Sequence, residues 1–136
     1  KIIGSGSLLS KYQLKVKNLG INNKVEFIPY IHDINTQLNK TDLFVMASIF
    51  EGFGNVFVEA LNNNCRILTL ESPGGVSEIL VNGKYGKIVP IDTNSSDFAN
   101  EILKALQSKQ NSNLKKRALD YDYLNIVDKY LEFIYE

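Results

Sequence analysis

An uninterrupted apolar run of strand length, Leu43–Ala47, most limits how this chain can fold. A strand that is covered on one face alternates apolar and polar residues, whereas a run without polar residues is typical of a strand covered on both faces. Strands of that kind belong mainly to parallel sheets with helices packed on either side. The run therefore indicates an α/β fold.

Strand-like and helix-like segments alternate along the rest of the chain, starting with a strand that ends at Gly4. The strand-like runs are rich in β-branched and aromatic residues, and the segments between them repeat apolar residues with helical spacing. This alternation predicts a Rossmann-like parallel sheet with right-handed crossovers and helices on both faces. We expect strands at residues 25–28, 66–70 and 87–91, and helices at residues 8–19, 33–40, 54–62, 75–81, 98–106, 114–119 and 123–133.

Polar residues just before several helical segments are candidates for helix caps. Asp33 precedes the short second helix, Ser95 or Ser96 precedes the long fifth one, and Asp122 precedes the last. Their side-chain oxygens can accept hydrogen bonds from the free amides of a first helical turn. We expect Gly20 to end the first helix, since glycine readily adopts the left-handed conformation.

Charge and cysteine content exclude several classes of protein. The 136 residues include 15 Lys and Arg and 15 Asp and Glu, so the formal net charge is zero and no basic excess favours nucleic-acid binding. No apolar stretch approaches the length of a bilayer span. The single cysteine, Cys65, cannot form an internal disulfide or complete a zinc site with the single histidine, His32. We therefore expect a cytoplasmic protein without a metal centre.

The segment that follows the most apolar strand, residues 51–56 with the sequence EGFGNV, carries the strongest functional signal. In an open α/β sheet, ligands bind beyond the carboxyl ends of the strands, where such loops lie. Gly52 and Gly54 allow the backbone to approach a ligand closely. The free amides of Asn55 and Val56, at the positive end of the helix dipole, would face an anion such as a pyrophosphate.

Two carboxylates flank this loop, Glu51 before the helix and Glu59 within it. If all eight steps between them were helical, the rise would be roughly 12 Å with about 80° of rotation. Carboxylates that far apart cannot share one proton or one metal ion, but they can accept hydrogen bonds from hydroxyls at opposite ends of a nucleoside diphosphate sugar. Either glutamate alone reads more simply as a solvated surface acid. The pair, with two glycines between them, favours a binding site.

The segment EGFGNVFVEAL resembles the motif of two glutamates separated by seven residues in the retaining family-four glycosyltransferases, which have the two-domain GT-B fold. The likeness extends along nearly the whole chain. It implies that residues 1–136 are the carboxy-terminal, donor-binding domain, truncated on its amino-terminal side. The other matching segments are Lys1–Gly6 with Leu8, Val25-Glu26-Phe27, Asp42-Leu43-Phe44-Val45 with Ser48, Pro73-Gly74-Gly75, Glu78-Ile79 and Gly83-Lys84-Tyr85-Gly86.

The resemblance also implies a role for each motif residue. Glu51 would act as the catalytic residue and bond hydroxyls of the donor sugar, and Glu59 would hold the ribose. Tyr30 and Ile31 lie in the loop that cups the nucleotide base. The backbone groups that meet the sugar and phosphates or edge the donor pocket belong to Gly6, Gly52, Phe53, Gly54, Asn55 and Val56.

The implied activity is the transfer of a sugar, with retention of anomeric configuration, from a nucleotide donor to a polysaccharide or lipid-linked glycan. We expect a UDP-sugar before GDP-mannose as the donor, and no divalent metal. The enzyme would act in the cytoplasm or at the inner face of the membrane, with its acceptor bound by the missing amino-terminal domain. Two alternatives stay open: a nucleotide-binding module without catalysis, and another GT-B enzyme such as a sugar-nucleotide epimerase.

Some positions depart from the family pattern. The family's Arg and Lys that neutralise the diphosphate come from a segment upstream of Lys1, so we expect this segment alone to be inactive. Pro29 stands where glycine is usual, and Asn64 and Arg66 replace the glycine and proline of a Gly-x-Pro segment. Asn64 tolerates the left-handed conformation, so the helix end should be preserved.

Two charged motifs have simpler interpretations that we prefer. Asp120-Tyr121-Asp122 matches the Asp-x-Asp metal motif of another glycosyltransferase architecture, but it precedes a helical stripe and Asp122 is a natural cap. The basic residues 115–117 are expected on a solvated helix face. The seven Tyr and seven Phe residues mostly fall on apolar stripes and are expected in the core.

Three of four further residues have both a functional and a structural interpretation, and Cys65 has only a structural one. His32 has no obvious acid partner and reads as a solvated residue or a wall of the donor pocket. Cys65 precedes an apolar strand and is expected to be an inert, buried thiol. Gly74 and Gly75 fit a turn that lies behind the donor and a tight strand-to-helix turn equally well.

Overall fold

The computed structural model describes residues 1–135 and divides into two units, Lys1–Ile34 and the residues from Asn35 onward. The first unit contains β1 (Ile2–Ile3), α1 (Leu9–Asn18) and β2 (Phe27–Ile28). In it, β1 pairs in parallel with β2. This unit is therefore a strand–helix–strand crossover.

The first helix ends in the glycine turn that the sequence predicts. Gly20 adopts φ +67°, and its amide donates to the carbonyl of Lys17 at 3.0 Å. This left-handed backbone is disfavoured for residues that carry a Cβ. Several apolar side chains of α1 remain exposed, including Leu9, Tyr12 and Leu14.

The second unit alternates helices and strands around a three-stranded sheet. Its elements, in chain order, are α2 (Asn35–Leu38), β3 (Leu43–Met46), α3 (Asn55–Asn62), β4 (Arg66–Leu70), α4 (Val76–Ile79), β5 (Lys87–Val89), α5 (Ser95–Gln107), α6 (Leu114–Leu119) and α7 (Tyr123–Tyr135). The strand order is β3–β4–β5, and both pairings are parallel.

The core of this unit lies around β4, which has a partner strand on each side. Its middle residues Ile67, Leu68 and Thr69 are buried. Phe57 and Leu61 of α3 are fully buried too, and α3 packs on both β4 and α6. Burying a side chain of this size stabilises a fold by about 1.5–3 kcal/mol. The core therefore fixes α3, and with it the loop that leads into α3, on the sheet.

Two expectations about the strands are wrong. The five strands form two parallel sheets rather than one, because β1 pairs with β2, while β4 pairs with β3 and β5. The apolar run that begins at Leu43 was expected to be covered on both faces, but the side chains of β3 are largely half-buried and Val45 is 37% exposed. In its three-stranded sheet, β3 lies at an edge.

One of the expected helix caps is also wrong. Asn94, rather than Ser95 or Ser96, caps α5, since its Oδ1 accepts hydrogen bonds from two backbone amides of the first turn, both at 3.0 Å. The extended backbone at Asn94 brings its side chain within reach of those amides. The cap at Asp33 stays a prediction; α2 begins at Asn35, two residues further along the chain.

The expectation that aromatic residues fill the core is wrong for much of the chain. Phe57 is buried, whereas Tyr123, Tyr130, Phe133 and Tyr135 of α7 are exposed. Within residues 1–135, these four rings remain largely uncovered.

Candidate functional site

Residues 51–54 form the motif loop, and Gly54 at its end determines how α3 begins. It has φ +84°, and a Cβ built on it would lie 2.7 Å from Cδ2 of Phe57. The backbone angle and this contact together exclude a larger residue. No side chain caps this end of α3, and no acceptor within residues 1–135 binds the amides of Asn55 and Val56. These amides are therefore available to an anionic ligand at the positive end of the helix.

The segment Pro73-Gly74-Gly75, which follows β4, supports the back of the loop. The Glu51 amide donates to the Pro73 carbonyl at 3.4 Å, and the Gly75 amide donates to the Gly52 carbonyl at 2.9 Å. A Cβ on either of the two glycines at 74 and 75 would overlap carbonyl oxygens of residues 51–53. The two glycines thus form the tight structural turn that was one of their two interpretations.

Glu51 and Glu59 are both half-buried, and neither forms an ion pair within residues 1–135. Because α3 begins at Asn55, only the four steps from Asn55 to Glu59 are helical. That part rises by about 6 Å, so the separation estimated for eight helical steps does not apply. Both carboxylates can accept hydrogen bonds from the hydroxyls of a ligand.

Arg117 of α6 and Tyr121, just after α6, form a brace that holds Phe53 of the motif loop. The Tyr121 ring packs edge-on against the Phe53 ring, with centroids 5.4 Å apart. Arg117 donates hydrogen bonds to the Tyr121 hydroxyl at 2.6 Å and to the carbonyls of Glu78 at 2.6 Å and Ile79 at 2.9 Å. The side chain of Arg117 is only 15% exposed. The Arg117–Tyr121 brace therefore links α6 to the end of α4 and to the motif loop.

Sequence reasoning missed this brace. Residues 115–117 were expected on a solvated face, which is correct for Lys115 and Lys116 but wrong for Arg117. The available signal was the spacing of four residues between Arg117 and Tyr121, which places both side chains on one side of a helical turn. Burial raises the pKa of Tyr121, so its hydroxyl stays protonated at neutral pH.

The Asp-x-Asp segment is engaged in structural contacts. Asp120 pairs with Arg117 at 2.8 Å, and Oδ1 of Asp122 accepts a hydrogen bond from the Leu124 amide at 3.0 Å, at the start of α7. The capping role predicted for Asp122 is confirmed. In the described part of the chain, no three His, Cys, Asp or Glu side chains are grouped so that they could hold a metal ion.

The remaining predicted residues, Gly6, Tyr30 and Ile31, belong to the first unit. They follow the carboxyl ends of β1 and β2, the edge of a parallel sheet where ligands bind. A Cβ on Gly6 would meet open space. Tyr30 is exposed and packs edge-on against the ring of His32, with centroids 5.6 Å apart, and Ile31 is half-buried.

Comparison with known families decides what kind of protein carries this loop. The family model of glycosyl transferases group 1 matches residues 1–121. The chain belongs to this family. The matched range includes the motif loop, both glutamates and the Arg117–Tyr121 brace. Among the described residues of this group 1 glycosyl transferase, no helix combines the length and the apolar character needed to cross a membrane.

A similar curated protein comes from Campylobacter jejuni. It is an N-acetylgalactosamine-N,N'-diacetylbacillosaminyl-diphospho-undecaprenol 4-alpha-N-acetylgalactosaminyltransferase, and it is 26% identical over 141 residues. The aligned region covers 98% of this chain and 38% of that protein. The group 1 chain thus spans less than half the length of this relative.

Two similar solved structures confirm the fold. Anabaena Alr3699/HepE, in complex with UDP and glucose, has a TM-score of 0.83 at 24% identity, covering 97% of this chain and 39% of that one. The C-terminal domain of the group 1 glycosyl transferase family protein LpcC from Francisella tularensis has a TM-score of 0.63 at 26% identity, covering 93% and 65%. The fold is therefore the Rossmann-like α/β fold of GT-B glycosyltransferases.

Proposed function

We propose that this chain is the donor-binding part of a retaining glycosyltransferase, and that the whole protein transfers a sugar from a UDP-sugar to a polysaccharide or lipid-linked glycan. One observation carries the proposal. Residues 51–59 present two glutamates without ion pairs on either side of a glycine loop, and the helix amides at the end of that loop have no acceptor within residues 1–135.

The loop fits a diphosphate because its donors are fixed before the ligand arrives. As the sugar leaves its donor, negative charge develops on the nucleoside diphosphate, and preorganised amides stabilise such charge without reorganising. Asn55 and Val56 supply two of these amides. A Cβ on Gly52 would meet nothing within 4 Å. The fold therefore does not require glycine at position 52, whereas the close approach of a ligand does.

The two glutamates fit the two hydroxylated ends of the donor. We assign Glu51, in the loop, to hydroxyls of the sugar as the catalytic residue. We assign Glu59, on the second turn of α3, to the ribose. The Arg117–Tyr121 brace and the glycine turn after β4 keep this loop in place. The roles of Gly6, Tyr30 and Ile31 stay predictions from the family resemblance, as does independence from a divalent metal.

Relatives support the choice of donor and acceptor. The Anabaena structure contains UDP and glucose, which supports a UDP-sugar. The Campylobacter relative is named for an acceptor on diphospho-undecaprenol and for an alpha linkage. Retention gives an alpha linkage when the donor sugar is alpha-configured. A lipid-linked acceptor also fits an enzyme that acts in the cytoplasm at the inner face of the membrane.

Calorimetric titration of the chain with UDP, GDP and UDP-glucose tests the assignment of the glutamates. Glu59→Ala should weaken UDP and UDP-glucose alike, by roughly tenfold or more, since a hydrogen bond to a charged group contributes about 1.5–3 kcal/mol. Glu51→Ala should weaken UDP-glucose by a similar factor and leave UDP almost unchanged.

Glu132→Ala removes an exposed acid of α7 and serves as the control that should change neither affinity. Equal losses of UDP and UDP-glucose in Glu51→Ala would contradict the assignment of Glu51 to the sugar. Tighter binding of GDP than of UDP would contradict the assignment of the donor.

A further inference from the structure

A cavity of about 370 Å³ opens at the edge of the second unit's sheet opposite to the proposed donor site. Arg66 and Lys87, which line it, are the first residues of β4 and β5. Because the strands are parallel, the cavity lies at their amino ends, whereas the motif loop follows the carboxyl end of β3. Its volume lies within the range of small-molecule sites. The cavity is therefore separate from the motif loop.

The lining of this cavity is strongly basic in a chain whose formal net charge is zero. Its one acidic residue, Glu101, pairs with Lys104 at 2.7 Å and with Lys87 at 3.5 Å. Neither Lys84 nor Lys109 has a carboxylate partner within residues 1–135. The cationic residues that line it are Arg66, Lys84, Lys87, Lys104 and Lys109.

Arg66 has an unsatisfied donor. Its Nη1 reaches the Asp42 carbonyl at 3.4 Å, but its Nε is buried and has no acceptor in the described part of the chain. Leaving a guanidinium N–H buried without an acceptor is unfavourable.

We propose that this cavity binds a small molecule that carries a phosphate or diphosphate group. Phosphate oxygens would accept hydrogen bonds from the ammonium groups of Lys84 and Lys109, which lack a carboxylate partner, beside the positive charge of Arg66. Tyr85 and Leu114 also line the cavity and supply apolar contacts for the rest of the ligand. The inference goes beyond the donor site and does not depend on it.

Calorimetry with inorganic pyrophosphate and with farnesyl diphosphate, combined with ¹H–¹⁵N correlation spectra, tests this proposal on the full chain. We expect binding that shifts the amides of residues 83–87. We also expect the double variant Lys84→Gln/Lys109→Gln to bind roughly tenfold more weakly. The matched control, Lys115→Gln/Lys116→Gln, removes two exposed lysines outside the cavity and should leave the affinity unchanged. If pyrophosphate binds more tightly, the cavity's ligand is a free diphosphate. If farnesyl diphosphate binds more tightly, the ligand is a lipid-linked diphosphate.

Three results would overturn the proposal: no binding of either probe, shifts confined to residues 51–56, or equal losses in the two double variants. Arg66→Met should weaken binding as well. If Arg66→Met fails to fold, the Lys84→Gln/Lys109→Gln variant still tests the proposal, because replacing exposed lysines leaves the core intact. If the proposal for the donor site is wrong, these results are unaffected, because the amide shifts are read at residues 83–87, at the opposite edge of the sheet.

Discussion

Gly52 and Gly54 stand two residues apart in the motif loop, yet they meet different physical demands. Gly54 has a left-handed backbone and sits against the Phe57 ring, whereas the space around Gly52 is open. Glycine at position 54 therefore serves the fold, whereas we propose that glycine at position 52 serves a ligand. Alanine substitutions can separate these two demands.

We expect Gly54→Ala to lower the free energy of unfolding by about 2 kcal/mol, since a Cβ is strained at φ +84° and overlaps Phe57. Gly52→Ala should change the stability by less than about 0.5 kcal/mol, but lower the affinity for UDP-glucose roughly tenfold. Urea unfolding and calorimetry measure the two effects. Similar stability losses in both variants would show that position 52 is also structural.

Cys65 makes stability depend on pH at the alkaline end. It is buried, and its thiol donates to the Leu38 carbonyl at 3.0 Å. Burial raises the pKa of Cys65 above its ordinary 9.0, and the negative charge of Asp42 raises it further. The folded state therefore holds the thiol proton after the unfolded state has lost it.

This contribution is fully present below pH 9.0 and is lost as the pH rises through the folded pKa. The unfolding free energy should accordingly fall as the pH rises above 9.0, by at most about 1.4 kcal/mol per pH unit, until the folded thiol also loses its proton. Cys65→Ala should show a shallower fall over the same interval. Parallel curves for the two proteins would contradict burial as the cause.

The roles of single residues at helix ends were predictable where they depend only on the local backbone conformation. Asn64 adopts φ +57°, so the left-handed helix end expected there is confirmed. Gly20 and Asp122 are likewise as expected. The cap at Asn94 was missed because neighbouring polar residues compete for one role, and only the backbone geometry selects between them.

At the scale of elements, the Arg117–Tyr121 brace joins three segments that are distant in sequence. Removing its guanidinium would leave the Ile79 carbonyl without its donor and the Glu78 carbonyl with the Val81 amide alone. We expect Arg117→Met to lower the free energy of unfolding by about 2–4 kcal/mol. It should also speed amide hydrogen exchange in residues 51–54. Lys115→Met, an exposed change on the same helix, is the control and should do neither.

Two variants of Tyr121 separate its ring from its hydroxyl. Tyr121→Phe keeps the ring contact with Phe53 but loses the hydrogen bond from Arg117, so exchange in the motif loop should stay near the wild-type rate. Tyr121→Ala removes the ring and should speed exchange there. If both variants exchange at the same rate, the ring contact does not hold the loop.

The order of strands and helices was predictable because apolar spacing identifies each segment. Pairing was not, since it depends on contacts between distant segments. The most apolar run, β3, proved to be an edge strand, and β4 took the central place. The brace was hidden for the same reason, because Arg117 reads as one member of a basic cluster until Tyr121 and α4 are placed beside it.

For the whole molecule, the alternation of elements and the motif of two glutamates were enough to predict the fold class and the family. The division into two units was not visible, because no composition change or linker marks residue 34. Nor could a net charge of zero reveal the basic cavity, since its cations come from four separate segments of the chain. Composition counts the charged residues, whereas the fold determines which of them lie together.

The central claim is that a nucleotide-sugar donor lies along the start of α3. Titration of the ¹⁵N-labelled chain with UDP-glucose tests it most directly through the backbone amides. We expect saturable shifts of the amide resonances of residues 52–56 and Glu59, with little change at residues 83–87. Shifts that leave residues 52–56 unmoved while UDP-glucose binds would contradict it.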